Sequence, residues 1–437
     1  MRMSNSVEAQ PYRNLDEERT SARNRIEGAI FVSAFLYVWI SVTPFENLAA
    51  PPVARAALNQ LTGLAIAGIL FVLAIRHSLL PLLLRPRLPL FLLFGWLAVC
   101  SLFGDLPVTA LQRLIFTGLL CFIMSVLVLL PQDKQQFSRL MAIFSVILIA
   151  ACYFGVIFLR SRAVHQAYDL GEPQLAGDWR GIFNHKNAAA PAMIILVIIG
   201  LYLRSAWSTL WGTLITLAAA IFLYKTNGKT ATMLLPVTLV LVWWMERHAR
   251  RALLMIVGFL VFLNFFAVGS AFSPGIRKAV ESAGIDATFT GRTDIWQLSL
   301  ETFAKSPLFG QGFQSFWNSK ELLAQADVSA NWAVIASHAH NGYIESLLNG
   351  GVPAFILVII WLIIIPARNF TKAVENGADT DLNRLFSRIW VYALLSSCLE
   401  SNFFTGTGSI WSSLLVAVYC LHHQAHDTLS ERMTDVR

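Results

Sequence analysis

Two histidines and an asparagine stand together in "ASHAHNGYIESLLNGGVP", Ala336 to Pro353, just ahead of a strongly apolar run. Imidazole changes charge near neutral pH, so at a membrane edge it can take a proton, give one, or donate a hydrogen bond to phosphate. His338 and His340 are two apart; on a helix they diverge, whereas in an extended segment they share a face. A metal pair is the weaker reading, because no third ligand with sensible spacing stands out. Tyr343 lies one helical turn from His340, and Glu345 one turn from Asn341. "NGGVP", Asn349 to Pro353, then breaks the helix, which lets backbone amides face a cavity. A histidine that merely caps the core is the plainer alternative.

Three other places carry groups suited to an anion, and a fourth carries a carboxylate that could pair with them. "KTNGKT", Lys225 to Thr230, joins two apolar runs on what should be the outer face, with two lysines and no acid. Short outer loops normally avoid Lys and Arg, so Lys225 and Lys229 point to a bound anion, or else to ammoniums snorkelling to lipid headgroups. "GRTDIWQLSLETFAK" reads as a helix over Thr293–Lys305, with Trp296, Leu300 and Phe303 on one stripe that lies either on the membrane surface or on other helices. Arg292 at its start, beside free backbone N–H groups, makes an anion site unless it simply pairs with Asp294 or another acid. "GDWRGIFNHKN", Gly177 to Asn187, supplies Arg180, His185 and Lys186 at a membrane edge, where ordinary interfacial anchoring would also account for them. Glu400 interrupts an apolar run near its outer end and calls for a partner, preferably a cation of the same outer site.

These groups need elements to hold them. The 437 residues are 56% hydrophobic and only 14% charged, and mean hydropathy is +0.59; so few charges cannot cover a soluble domain of this length. Twelve membrane helices are expected, near Gly28–Pro44, Leu58–Ile75, Leu88–Phe103, Leu111–Leu130, Phe137–Leu159, Ala188–Leu203, Trp207–Tyr224, Ala231–Met245, Ala252–Phe272, Asn341–Ile365, Phe386–Phe404 and Gly408–His422. The tenth should be a short outer piece followed by the span proper. Residues 1–27 read as a charged, disordered tail and 28–437 as a single transmembrane domain.

Lys and Arg in "RHSLLPLLLRPR", "ERHARR" and "ARNFTKAVENGADTDLNR" put those connections and both termini in the cytoplasm. The long connections 160–187 and 273–340 then lie outside. Net charge is +7, but the outer connection 273–340 is balanced, so the case rests on particular residues rather than bulk charge. The five cysteines all fall in or beside apolar runs and read as small hydrophobes, not disulfides or metal ligands. No phosphate loop, dinucleotide fingerprint, zinc-protease helix, cleavable signal peptide or internal repeat is visible.

With these segments in view, the chain resembles the O-antigen ligase and polymerase superfamily, the WaaL/Wzy-type membrane glycosyltransferases, and most of all the ExoQ-like exopolysaccharide polymerisation proteins. Members carry a His-Asn/Ser/Gln pair, nine residues, Gly, two residues, Gly. Here His340-Asn341 is followed by "GYIESLLNG", Gly351, "VP" and Ala354, so alanine replaces the last glycine. "RGIFNHKN" and "GRTDIW" are similar to recurrent family segments, and the likeness runs from about Trp179 to Phe404.

The resemblance implies an all-α, GT-C-like fold in the bacterial inner membrane with a periplasmic site. It implies a glycan donor on undecaprenyl diphosphate, and inverting transfer without metal, nucleotide or other cofactor. Arg292 then matches an arginine that holds the diphosphate, with Lys225 or Lys229, Arg180 and His338 beside it. His340 matches the family histidine, either as base or as donor to phosphate, with Asn341, Glu345, Glu400, His185 and Lys186 in support. Expected partners are the lipid-linked glycan, the bilayer, and polysaccharide chain-length and export proteins; nucleic acid is not among them. Polymerisation of lipid-linked repeats is the leading function. Ligation of finished chains to lipid A-core is the alternative, and a flippase is a third that should show mid-membrane charges and paired repeats.

Overall fold

A backbone inside hydrocarbon must satisfy its own N–H and C=O groups, and apolar runs of this length do so as helices. The computed structural model describes residues 9–50, 56–84, 88–170, 172–319, 322, 324 and 332–426. Among them the regular structure is helical, apart from one isolated bridge between Val164 and Trp179. Six helices are long and apolar enough to cross a membrane: Ala57–Arg76, Pro107–Leu127, Lys134–Phe158, Lys186–Ala206, Ala249–Phe272 and Gly342–Glu375. Ala9–Ile40, Leu88–Leu102, Thr209–Lys225, Lys229–Arg247, Thr380–Ser396 and Ser409–Ala425 stand where the remaining spans are expected. The protein is an all-α polytopic membrane protein.

Burial separates the centre from the rim. Ile194, Leu196, Ile198, Trp390, Leu394, Trp411 and Leu414 are all sealed, so the helices Lys186–Ala206, Thr380–Ser396 and Ser409–Ala425 form the middle of the bundle. Ala252–Phe272 runs at the edge, with Val261, Phe262 and Phe265 more than half exposed. Apolar surface on that scale is tolerable only against lipid.

Three expectations change. The tail is helical from Ala9 and runs on into the first span, rather than being disordered; residues 1–8 lie outside the described residues. The eleventh helix is Thr380–Ser396, ending before Glu400, because Ser397–Asn402 folds back to receive another segment instead of continuing the span. The tenth does break as expected, at Gly350 and Gly351, but protein rather than an open space meets the amides and carbonyls described there. Trp96 Nε1 donates to the Gly350 carbonyl at 2.7 Å, the Gln311 amide to Leu348 at 2.7 Å, and the Val352 amide to Pro307 at 2.9 Å. Loop 307–312 therefore fills the gap. Gly351 has φ +66°, and a Cβ there would lie 2.2 Å from the Leu308 carbonyl oxygen.

The Arg292–Lys305 helix forms as read, one residue early. Its stripe lies on other helices: Trp296 is fully buried in a cluster with Ala267, Ala271, Ala339 and Ile344, and Leu300 and Phe303 pack against it. Ala339 is the residue between the two histidines, so this packing fixes where they sit. At the other end of the bundle, about 25 Å away along the 17-residue Thr380–Ser396 helix, Arg384 grips Glu246 at 2.8 Å and Lys134 reaches Asp379 and Asp381.

Candidate active site

Asn341 is the residue that docks the histidine segment. Its Oδ1 caps the following helix, accepting from the Tyr343 and Ile344 amides at 2.9 and 3.1 Å, as an N-cap amide should. Its Nδ2 donates to Asn264 Oδ1 and to the Cys398 carbonyl, each at 2.8 Å. The Gly342 amide donates to the Ser397 carbonyl at 2.8 Å, and the Asn341 amide to Ser401 Oγ at 3.2 Å. One buried side chain thus ties three helices to the turn that carries Glu400.

Glu345, one turn further on, is buried and acts from behind. Its carboxylate accepts from the Ala339 amide at 2.7 Å, from Trp317 Nε1 at 3.1 Å and from Ser401 Oγ at 3.2 Å. It grips the backbone between the histidines and the residue after Glu400. His340 has φ +49°, a left-handed conformation unusual for a side-chain-bearing residue. That turn brings the two imidazoles to a ring separation of 4.0 Å.

Glu400 sits between Arg292 and His340. Arg292 Nη2 donates to Glu400 Oε1 at 2.5 Å, and His340 Nδ1 meets Oε2 at 2.9 Å. Arg292 Nη1 also donates to the Leu399 carbonyl. Burial alone would raise the Glu400 carboxyl, but the His340 hydrogen bond and the Arg292 charge outweigh it and hold the group at about 2. At neutral pH it is a carboxylate and can only accept. The His340 ring therefore carries its proton on Nδ1, an assignment made from its partner, and Nε2 keeps the free lone pair. His338 Nδ1 accepts from the His340 amide at 3.3 Å, so its Nε2 carries the hydrogen. Burial, reinforced by His340, lowers His338 to about 4, which keeps it neutral.

Ligand atoms of His338, His340 and Glu400 lie within 4.8 Å of one another, close enough to bracket a metal ion. Arg292 already holds the same carboxylate, however, and a dication there would face its guanidinium at a few ångströms. That repulsion disfavours a metal centre.

The other expected residues form a second network. Lys186 Nζ pairs with Asp178 at 2.6 Å, and Asn227 Nδ2, in the short lysine loop, donates to the same carboxylate at 2.5 Å. His185 caps the Lys186–Ala206 helix through Nδ1 and pairs with Glu172 through Nε2. Lys225 and Lys229 are exposed. Arg180 is fully buried and donates to the carbonyls of Phe183 and Glu46 at 3.0 and 2.6 Å. Through these carbonyls it holds the loop together, while its Nε is buried with no partner among the described residues. No hydrogen bond or ion pair among the described residues joins this network to Glu400.

Comparison with known proteins falls on this part of the chain. Residues 212–359 match the O-antigen ligase family, Wzy_C. A relative is the exopolysaccharide production protein ExoQ of Rhizobium meliloti (strain 1021), 30% identical over 144 residues. That alignment spans 32% of this chain and 32% of the relative's own length. The resemblance to the O-antigen ligase and polymerase superfamily, ExoQ-like in kind, is thereby borne out over a shorter stretch than Trp179–Phe404. The O-antigen ligase-like segment contains Lys225, Lys229, Arg292, His338, His340, Asn341 and Glu345. Glu400, which joins Arg292 to His340, lies beyond it.

Sequence reasoning missed Asn264, Trp317 and Ser401. Asn264 was detectable, since a lone amide in "FLVFLNFFAV" has to find a partner in an apolar span. Trp317 and Ser401 gave no such signal.

Proposed function

We propose that the protein joins glycan units carried on a lipid diphosphate, as a metal-independent, inverting glycosyltransferase at the periplasmic face of the bacterial inner membrane, and that it polymerises repeat units. The observation that carries this reading is the Arg292–Glu400–His340 bridge, set at one end of the bundle in a chain whose residues 212–359 are O-antigen ligase-like.

The chemistry follows from the bridge. An acceptor hydroxyl hands its proton to His340 Nε2 as its oxygen attacks the anomeric carbon of the donor. The bond from that carbon to the diphosphate oxygen breaks, and the electron pair leaves with the lipid diphosphate. Glu400 holds the imidazole in the reactive tautomer and stabilises the imidazolium that forms. A guanidinium has five N–H groups; Arg292 turns one edge to Glu400 and Leu399, and its remaining N–H groups take the negative charge that develops on the leaving oxygen. Neutral His338 adds its Nε2–H to a phosphate or glycan oxygen. Lys225 and Lys229, exposed and in no ion pair with other described residues, are further cations for the lipid-borne charge. Arg180, His185 and Lys186 shape the loops.

Polymerisation is favoured by the likeness to a protein named for exopolysaccharide production; ligation of finished chains is favoured by the family's description as O-antigen ligase. A deletion strain separates them. Loss of a polymerase leaves single-repeat products, whereas loss of a ligase strands long chains on the lipid diphosphate. Unchanged glycans of every size class would reject both.

A further inference from the structure

A hollow of about 290 Å³ lies between the outer-facing ends of helices Ala56–Arg76 and Pro107–Leu127 and the turn at Gly406 and Thr407. It is at the Glu400 end of the bundle. Gln314 lines it and donates Nε2 to the Phe404 carbonyl at 2.7 Å, four residues after Glu400. Arg113 lines it too, and reaches the Gln314 carbonyl through Nη1. The volume is at the lower end for small-ligand pockets, about 300–1,000 Å³.

The lining is unusual for a space between membrane helices. Four carboxamides face it, from Asn59, Gln60, Gln112 and Gln314, together with the Arg113 guanidinium. No carboxylate is found among its described lining residues, which disfavours a metal ion or an organic cation. Gln60 and Gln112 make no hydrogen bond to other described residues, and Asn59 uses its Oδ1 on Ser41, which leaves Nδ2 to donate. A carboxamide presents donor and acceptor side by side, matching hydroxyl groups that also do both. An acyl chain in this space would leave the Gln60 and Gln112 amides, Asn59 Nδ2 and the remaining Arg113 N–H groups without a partner. Tyr37 and Phe116 add flat apolar faces for the C–H side of a ring. Leu119, Leu120 and Ile123 close the deep end.

We propose that this hollow is a saccharide subsite, holding one sugar ring of the glycan beside the transfer site, with Arg113 favouring a ring that bears an anionic substituent. The proposal rests on the glycan-transfer reading for its ligand class. The sugar can come from the donor glycan or from the acceptor.

The test measures equilibrium binding, so it stands apart from turnover. Purified full-length protein in detergent is titrated with the lipid-free oligosaccharide repeat cut from the strain's own surface glycan. Two variants are compared with the native protein: Arg113→Met, and Gln60→Leu combined with Gln112→Leu. The double variant removes two amides that make no hydrogen bond to other described residues, so it keeps the native melting temperature. Its affinity falls by about tenfold or more, at a few-fold per lost hydrogen bond. Arg113→Met loses at least as much for an acidic repeat and less for its carboxyl-reduced form. In turnover, a raised KM for added oligosaccharide acceptor identifies the acceptor as the source, and a raised KM for the lipid-linked donor identifies the donor. A native protein that binds no oligosaccharide, or a double variant with unchanged affinity, overturns the subsite. A native protein that binds the oligosaccharide yet transfers none overturns the catalytic reading and leaves the subsite standing.

Discussion

Replacing Glu400 by Gln is the most informative single change, because it keeps the side chain's shape and removes only its charge. The folded protein holds this carboxyl at about 2, against an ordinary value of 4.5. At roughly 1.4 kcal/mol per pH unit, the environment favours the ionised form by about 3 kcal/mol. The Glu400 side chain is 23% exposed and Arg292 16%, so solvent screening trims that figure without removing it. The shift is downward, which sets the sign. The contribution to stability is complete above pH 4.5 and fades as pH falls towards 2. Glu400→Gln should therefore melt several degrees below the native protein at pH 7 in detergent, and the gap should close as pH drops from 4.5 towards 2. Turnover should fall about 10²–10⁴-fold, the usual contribution of a positioned general base, because an amide can present its N–H to His340 Nδ1 and permit the unreactive tautomer. Equal melting at pH 7 together with undiminished turnover would refute the reasoning.

Other expectations follow from the same contacts. Asn341→Ala removes a helix cap and leaves Asn264 Oδ1 and the Cys398 carbonyl without their donor; thermal unfolding should show a loss of about 3 kcal/mol, and Asn341→Asp, which keeps the cap but sets a buried carboxylate oxygen against both acceptors, should not recover it. Gly351→Ala puts a Cβ against the Leu308 carbonyl at positive φ, so folded yield and melting should both drop, by about 1–3 kcal/mol for the backbone conformation alone. Arg292→Lys keeps a charge but cannot bind Leu399 and Glu400 as a fork; turnover at saturating donor should lie between that of the native protein and Arg292→Ala.

The apolar runs were legible because hydrocarbon leaves the backbone no alternative to the helix, and the expected spans all have helices. Their ends were less so. Glu400 looks like a charge inside a span because "LLSSCLESNFF" is apolar on both sides, yet the helix stops at Ser396 to free a turn that receives Asn341. Only tertiary hydrogen bonds decide that. The pairing of Arg292, His340 and Glu400 was legible as a need, since each group requires a partner, and not as a geometry. Arg180 shows the opposite case: its local sequence fits a ligand-facing loop, whereas the structure buries it against the backbone carbonyls of Phe183 and Glu46. Arg113 was overlooked because one cation in an amphipathic helix looks ordinary until the facing amides are seen.

The central claim is that Glu400 couples Arg292 and His340 into one proton-accepting, charge-stabilising unit. The measurement that tests it most directly is single-turnover transfer by purified, reconstituted protein on a defined lipid-diphosphate-linked repeat, with native protein, Arg292→Ala, His340→Ala and the double variant side by side. Residues that act as a unit are not additive, so each single change should remove about 10²–10⁴ of the rate and the double should be little worse than either. Rates equal to native in both single variants, or losses that multiply in the double, would contradict the coupling.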